Sequence, residues 1–251
     1  MAYGPPVGGG FLRWVELIEG DAGPSGYPFT LPVVAGLRKA GRLGLDPAVT
    51  FLVGDNGTGK STLVEAIAVA AGFNPEGGSA NFTFSTRATH SPLGEFVRLV
   101  RGVVKPRTGF FLRAESFYNV ASEVDRLGAQ KSYGGRSLHD RSHGEAFLDL
   151  AVHRFEPDGL YLLDEPEAAL SPQGCLAMLT RIVDLARAGC QFVVATHSPI
   201  LLAVPRARIL QIDGDGNISA VSYDEAQPVE LMRSFLADPQ RYLHYLFDQD
   251  G

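Results

Sequence analysis

Cysteine is scarce in this chain: Cys175 and Cys190 are the two among 251 residues. Two thiols exclude a disulfide framework and a four-cysteine zinc site, and they fit buried thiols in a reducing compartment. Lysine is scarce as well, with 4 residues against 18 arginines, and no basic block occurs. Together with a net charge of −6, this argues against a dedicated nucleic-acid binder. Long apolar runs are missing. The longest stretch free of Asp, Glu, Lys and Arg covers 188–205 and is broken by Gln191, Thr196, His197, Ser198 and two prolines. A membrane helix needs about 20 mainly apolar residues, so no membrane insertion is expected. Residues 1–10 are rich in glycine and proline and lack the basic and apolar regions of a leader. The expected location is cytoplasmic.

What is present is an ordinary globular balance, 45% hydrophobic and 20% charged, which excludes disorder as the dominant state. Beyond a flexible N-terminus at 1–10, residues 11–251 read as a single domain. Three short apolar runs, 49–53, 160–163 and 192–195, lack polar alternation and read as buried parallel strands. Each ends at a polar or glycine-rich cluster, where an open α/β sheet places its ligand. Helices are expected at 60–71, 144–154 and 172–188, the last with Ser171 as cap, Pro172 in the first turn and Gly189 after the last. Residues 11–18, 27–34, 81–86 and 109–113 read as an antiparallel sheet beside the parallel one. Residues 117–155 read as a small helical subdomain with a polar loop at 128–136. A hairpin at 209–223 and one or two terminal helices complete an α/β fold with a mainly parallel core sheet flanked by helices.

The strand at 49–53 runs into Gly54-Asp55-Asn56-Gly57-Thr58-Gly59-Lys60-Ser61 and then Thr62. This is the phosphate-loop pattern G-x-x-x-x-G-K-[ST], set between strand and helix as the pattern requires. Glycines let the backbone wrap phosphate oxygens, and the amide N–H groups and helix N-terminus supply positive partial charge. Lys60 suits the β- and γ-phosphates, the Ser61 hydroxyl suits Mg²⁺, and Thr62 suits the α-phosphate. The strand at 160–163 ends in Asp164-Glu165. Adjacent carboxylates on a strand point apart, so Asp164 is assigned to the Mg²⁺ shell and Glu165 to the attacking water.

These pieces, with Ser142-His143-Gly144-Glu145, Ala168-Ala169-Leu170-Ser171 and His197 in the same order, resemble the soluble branch of the ABC-type ATPase superfamily over about residues 11–213. The resemblance implies a P-loop NTPase fold, ATP and Mg²⁺ as ligands, and a homodimer that sandwiches ATP between the phosphate loop of one subunit and the signature of the other. It implies that Ser142 and Gly144 contact the γ-phosphate across that interface, and that His197 is the switch histidine beside Glu165. Three departures stand out: His143 for glycine, Glu145 for glutamine, and Ser171 for aspartate. Ser142-x-x-Glu145 before an apolar helix also reads as a capping box. The family glutamine near metal and water has no counterpart. Glu115 is the first candidate for its place and Arg113 the second.

The adenine surface is open between Tyr27, Phe29 and neither, core packing being the simpler role for both. The implied activity is ATP hydrolysis driving a conformational switch. The alternatives are an ATP-dependent clamp on DNA or protein with slow hydrolysis, and the ATPase subunit of a transporter. About 80 residues separate Gly59 from the signature, too few for coiled-coil arms. A guanine-recognition Asn-Lys-x-Asp is absent from the sequence. Arg98, Arg101, Arg107, Arg136 and Arg141 could meet a nucleic-acid backbone, and scattered surface charge is the commoner explanation for such a set.

Overall fold

The computed structural model describes residues 9–18, 25–79, 91–114, 117 and 143–247. Expectations on residues 1–8, 81–86, Glu115 and 118–142, which include Ser142 and the loop at 128–136, lie outside that set. The strands, in chain order, are β1 (Leu12–Leu17), β2 (Leu43–Gly44), β3 (Val49–Gly54), β4 (Val97–Arg101), β5 (Thr108–Arg113), β6 (Gly159–Asp164), β7 (Gln191–Ala195), β8 (Arg208–Ile212) and β9 (Ile218–Val221). The helices are α1 (Pro32–Ala40), α2 (Lys60–Ala71), α3 (His143–Arg154), α4 (Pro172–Arg187), α5 (Pro199–Leu202), α6 (Gln227–Ala237) and α7 (Pro239–Phe247).

One sheet has the order β5-β6-β7-β3-β8-β9, parallel except for β9, which pairs antiparallel with β8. A second, three-stranded antiparallel sheet has the order β2-β1-β4. The parallel strands are apolar on both faces because both are covered. Along β7, Phe192 and Val194 pack with α3 and α4 side chains such as Phe147, Leu150, Met178 and Ile182. Val193 and Ala195 face the opposite layer, with Leu63 and Ile67 of α2, Val33 and Leu37 of α1, and Val15 of the small sheet. Helix α2 is buried nearly all round, as a helix without a polar face must be, and not along the one stripe the sequence implied.

Two expectations are corrected. Residues 27–34 were expected as strand, yet Pro32 opens α1. Proline fits the first helical turn, and Val33, Val34 and Leu37 then form a buried helical face in place of a period-2 pattern. Residues 109–113 were assigned to the antiparallel sheet, yet β5 is the parallel edge strand beside β6, in register from Thr108↔Gly159 to Arg113↔Asp164. Phe110 and Leu112 point into one core and Phe111 into the other, which is the signature of a strand covered on both faces. The small sheet is closed instead by β4, a segment the sequence reading passed over.

The two sheets are pinned by Gln191. Its fully buried amide accepts from the Leu12 N–H (2.8 Å) and donates to Leu12 O (2.7 Å) and Asp46 O (2.8 Å). A second tie fixes α3. The Arg181 guanidinium of α4 donates to the carbonyls of Ala151 (3.3 Å), Val152 (3.1 Å) and Phe155 (2.6 Å), the C-terminal end of that helix. Opposite charge at a helix C-terminus is favourable. Phe155 in turn stacks on Tyr161 of β6 at 4.2 Å between centroids. Burial raises the Tyr161 hydroxyl far above the ordinary tyrosine range, so it stays protonated and donates to Glu156 O at 2.7 Å. Ala146, Phe147, Leu150, Ala151 and Phe155 thus belong to the main core.

Gln191→Ala should strand the Leu12 amide and carbonyl, at a cost of about 3 kcal/mol. Chemical denaturation of the variant checks this, and a loss below about 1 kcal/mol would contradict the pinning role.

Candidate nucleotide site

Register fixes the site. Ala195 of β7 pairs with Asp164 of β6 on one side and with Leu52 of β3 on the other. Strands β6 and β7 therefore finish level, β3 runs two residues further to Gly54 along β8, and the segments that follow them meet at one edge of the sheet. After β3 comes the loop 54–59 and the start of α2, after β6 Glu165 and a 3-10 turn, Pro166–Ala169, and after β7 His197.

The loop is held by glycine geometry. Gly54, Gly57 and Gly59 have φ of 148°, 82° and 95°, values that disfavour side chains. A Cβ on Gly54 would fall 2.3 Å from Ile212 O, and one on Gly59 2.6 Å from Val33 Cγ1. The loop is tied internally by Thr58 Oγ1, which donates to Asp55 O at 2.8 Å, and to α1 by Val33 N–H on Thr58 O at 2.9 Å. Lys60 is 4% exposed, and its Nζ donates to Gly54 O (2.8 Å) and Asp55 O (2.9 Å). Burial lowers its pKa, opposed by the charges of Glu165, Asp164, Asp55 and Glu167.

The carboxylate side is equally constrained. Asp164 is buried, and its Oδ2 lies 3.4 Å from Arg113 Nε. Glu165 sits at φ 48°, ψ 52°, a left-handed conformation costing about 1–3 kcal/mol in a non-glycine residue. Its N–H is anchored on Ala195 O at 2.9 Å. Glu165 Oε1 stands 3.8 Å from His197 Nε2, beyond direct hydrogen bonding. The His197 backbone N–H donates to Glu167 Oε1 at 2.5 Å, so the second glutamate of the turn holds the histidine loop in place. Ser61, Arg113, Asp164, Glu165, Ala168 and Ala169 line one cleft of about 250 Å³.

The donor set suits magnesium. Among the described residues no group of three or more His, Cys, Asp or Glu is arranged to hold a metal by itself. A hydroxyl and one carboxylate in a shared cleft are instead the hard oxygen donors that Mg²⁺ takes together with phosphate and water.

Of the residues expected at the site, the loop 54–61, Thr62 at the start of α2, Asp164, Glu165 and His197 converge at this edge. Gly144 lies near the start of α3 against the 3-10 turn, its missing Cβ 3.0 Å from Ala169 O. Ser171 caps α4, accepting from Gly174 N–H at 3.1 Å. Phe29 is buried edge-on to Phe96 at 5.0 Å, and Tyr27 is 69% exposed. Arg98, Arg101 and Arg107 each have local partners, in Glu16, the Ala70 carbonyl and Asp158.

Three contributors escaped the sequence reading. Glu65 of α2 is buried and takes Arg113 Nη1 at 2.6 Å on one oxygen and Ser91 N–H at 2.8 Å on the other. A lone charge inside an apolar helix was the available signal, since such groups are buried only when paired. Glu167 carried no comparable mark. Gln227, which opens α6, donates its side-chain amide to Asp55 Oδ1 at 2.6 Å; nothing in the local pattern foretells a contact across 172 residues.

A parallel sheet with a phosphate loop after one strand and a carboxylate pair after another defines the class: a domain of the P-loop NTPase fold. The chain matches, over residues 49–132 and 131–203, the family described as "AAA domain, putative AbiEii toxin, Type IV TA system", and belongs to it. No curated protein matches. Similar solved structures include the SMC head domain from Thermotoga maritima, at 16% identity and TM-score 0.42, covering 84% of this chain and 98% of that one. A nucleotide-free ATP-binding cassette from an ABC transporter has 15% identity and TM-score 0.46, covering 92% and 96%. An ATP-binding cassette of an ABC transporter in its ADP conformation has 16% identity and TM-score 0.45, covering 94% and 99%. Among the described residues no helix is long and apolar enough to cross a membrane.

Gly54→Ala should cost more than about 3 kcal/mol, because the new methyl meets backbone, whereas Gly57→Ala, with open space around it, should cost about 1–2 kcal/mol of backbone strain. Denaturation midpoints of the two variants compare them, and equal losses would contradict the close packing of the loop on β8.

Proposed function

We propose that the chain binds ATP with Mg²⁺ and hydrolyses it to ADP and phosphate, as an ATP-dependent homodimer that switches conformation with the nucleotide. The observation that carries this reading is the shared cleft, where Ser61 of the phosphate loop faces Asp164 and Glu165 at the C-terminal ends of β3, β6 and β7. Membership of the AAA-domain family supports it.

In this reading the N–H groups of residues 54–61 cradle the phosphates. Lys60 exchanges its loop carbonyls for phosphate oxygens; burial disfavours its charged state, and the neighbouring carboxylates oppose that effect. Ser61 and Asp164 hold Mg²⁺, which would supply charge neutralisation at the phosphates. Glu165, locked at its unusual backbone angle, and His197, set by Glu167, bracket the attacking water, so that one accepts its proton while the other fixes its direction. The 3.8 Å between them suits groups that share a small molecule rather than bond to each other.

The placement of α3 supports the dimer reading. Gly144 and Ala169 adjoin, and each belongs to a stretch that the resemblance assigns to the subunit interface. Ser142 and Gly144 then meet the γ-phosphate of the partner's ATP, and closure is linked to the triphosphate. A cytoplasmic location, where ATP is supplied, goes with the reading.

Glu165→Gln should preserve ATP binding and slow turnover by about 10²-fold or more. Light scattering on this variant should show the mass doubling with Mg-ATP and not without it. A monomer that binds ATP would remove the sandwich dimer and leave residues 142–145 as a helix cap.

A further inference from the structure

We propose that Arg113 contacts the terminal phosphate of the nucleotide from within the same chain and so sets a preference for a nucleoside triphosphate over the diphosphate. The inference rests on the nucleotide reading above and adds a residue that determines which nucleotide the site prefers.

Arg113 ends β5, directly opposite Asp164 in the register of β6. It is the cation lining the cleft that also holds Ser61, Asp164 and Glu165. Electrostatics favour a cation there. A terminal phosphate entering this cleft approaches two carboxylates, and like charges in a partly buried site repel strongly. Lys60 serves the loop end, where its Nζ lies on the carbonyls of Gly54 and Asp55. The carboxylate end is left to Arg113.

The anchoring of the side chain matches that task. Nη1 is fastened to Glu65 Oε2 at 2.6 Å, and Glu65 is itself fixed by the Ser91 N–H at 2.8 Å. The contact of Nε with Asp164 is longer, 3.4 Å. The guanidinium is thus pivoted on the short bond, and the long contact is the one that a phosphate oxygen displaces most readily. A guanidinium has five N–H donors in a planar fork that fits phosphate oxygens. A Mg²⁺ held by Ser61 and Asp164 would supply charge neutralisation at that carboxylate, which favours the exchange. A diphosphate lacks the group that rewards it. Glu65 is a positioning residue in this scheme: it holds the pivot from α2, the helix that also carries Ser61.

Binding of ADP and of the slowly hydrolysed analogue ATPγS, each with Mg²⁺, tests this on the full chain by calorimetry. For Arg113→Gln, affinity for ATPγS should fall about tenfold or more while affinity for ADP stays within about twofold, and Arg113→Lys should fall between. Because Arg113→Gln leaves Glu65 buried opposite a neutral group, the double variant Arg113→Gln, Glu65→Gln is measured beside it. Its amides can pair, and it should show the same selective loss. Equal losses for both nucleotides, or no loss for either in a folded variant, would overturn the inference and leave nucleotide binding standing. A wild-type chain that binds neither nucleotide would overturn both.

Discussion

Strand β7 is hydrogen-bonded to β6 on one side and to β3 on the other, and its last residue, Ala195, is opposite Asp164 in one pairing and Leu52 in the other. Everything at the site depends on that register. A slip of one residue would turn every side chain of the slipped strand to the opposite face, exchanging Val194 and Val193 between the two cores. It would also stagger the strand ends, so that the phosphate loop, the carboxylate pair and the histidine no longer met. The apolar side chains that hold the register are the ones buried deepest. Phe51, Phe192, Val193, Leu162 and Leu163 are fully covered, and deleting such a side chain costs several kcal/mol.

On this rigid frame the functional groups sit in conformations that the frame must enforce. Glu165 adopts a left-handed backbone because its N–H is captured by Ala195 O and its neighbour Pro166 starts a 3-10 turn. Lys60 is buried, which lowers its pKa, and four carboxylates oppose that effect. Asp164, Arg113 and Glu65 alternate in sign across β6, β5 and α2, so each charge has an opposite neighbour. A buried pair of this kind contributes little net stability, whereas removing one member is costly. Its value lies in fixing where the charges stand.

The candidate nucleotide edge is legible in the sequence because its signals are local. A glycine-rich loop between strand and helix, an apolar run ending in two acids and a strand ending in histidine each declare themselves within eight residues. The same holds for α4, with its serine cap and its stripe of apolar residues, and for the 209–223 hairpin, seen as β8 and β9. What could not be read is long-range. β5 and the small-sheet strands have similar apolar content, and only pairing partners decide which sheet takes each. Pro32 marked a helix start, yet the β-branched Val33 and Val34 weighed towards strand. The link from Gln227 to Asp55 and the Glu65–Arg113 pair join segments distant in sequence, and such contacts leave no periodic trace.

The C-terminal ends of β3, β6 and β7 together form the proposed nucleotide site. Diffraction from crystals grown with Mg²⁺ and ATPγS tests it most directly. The account predicts phosphate density wrapped by residues 54–61, with the metal between Ser61 and Asp164. Nucleotide density elsewhere on the molecule, or none at saturating concentration, would contradict it.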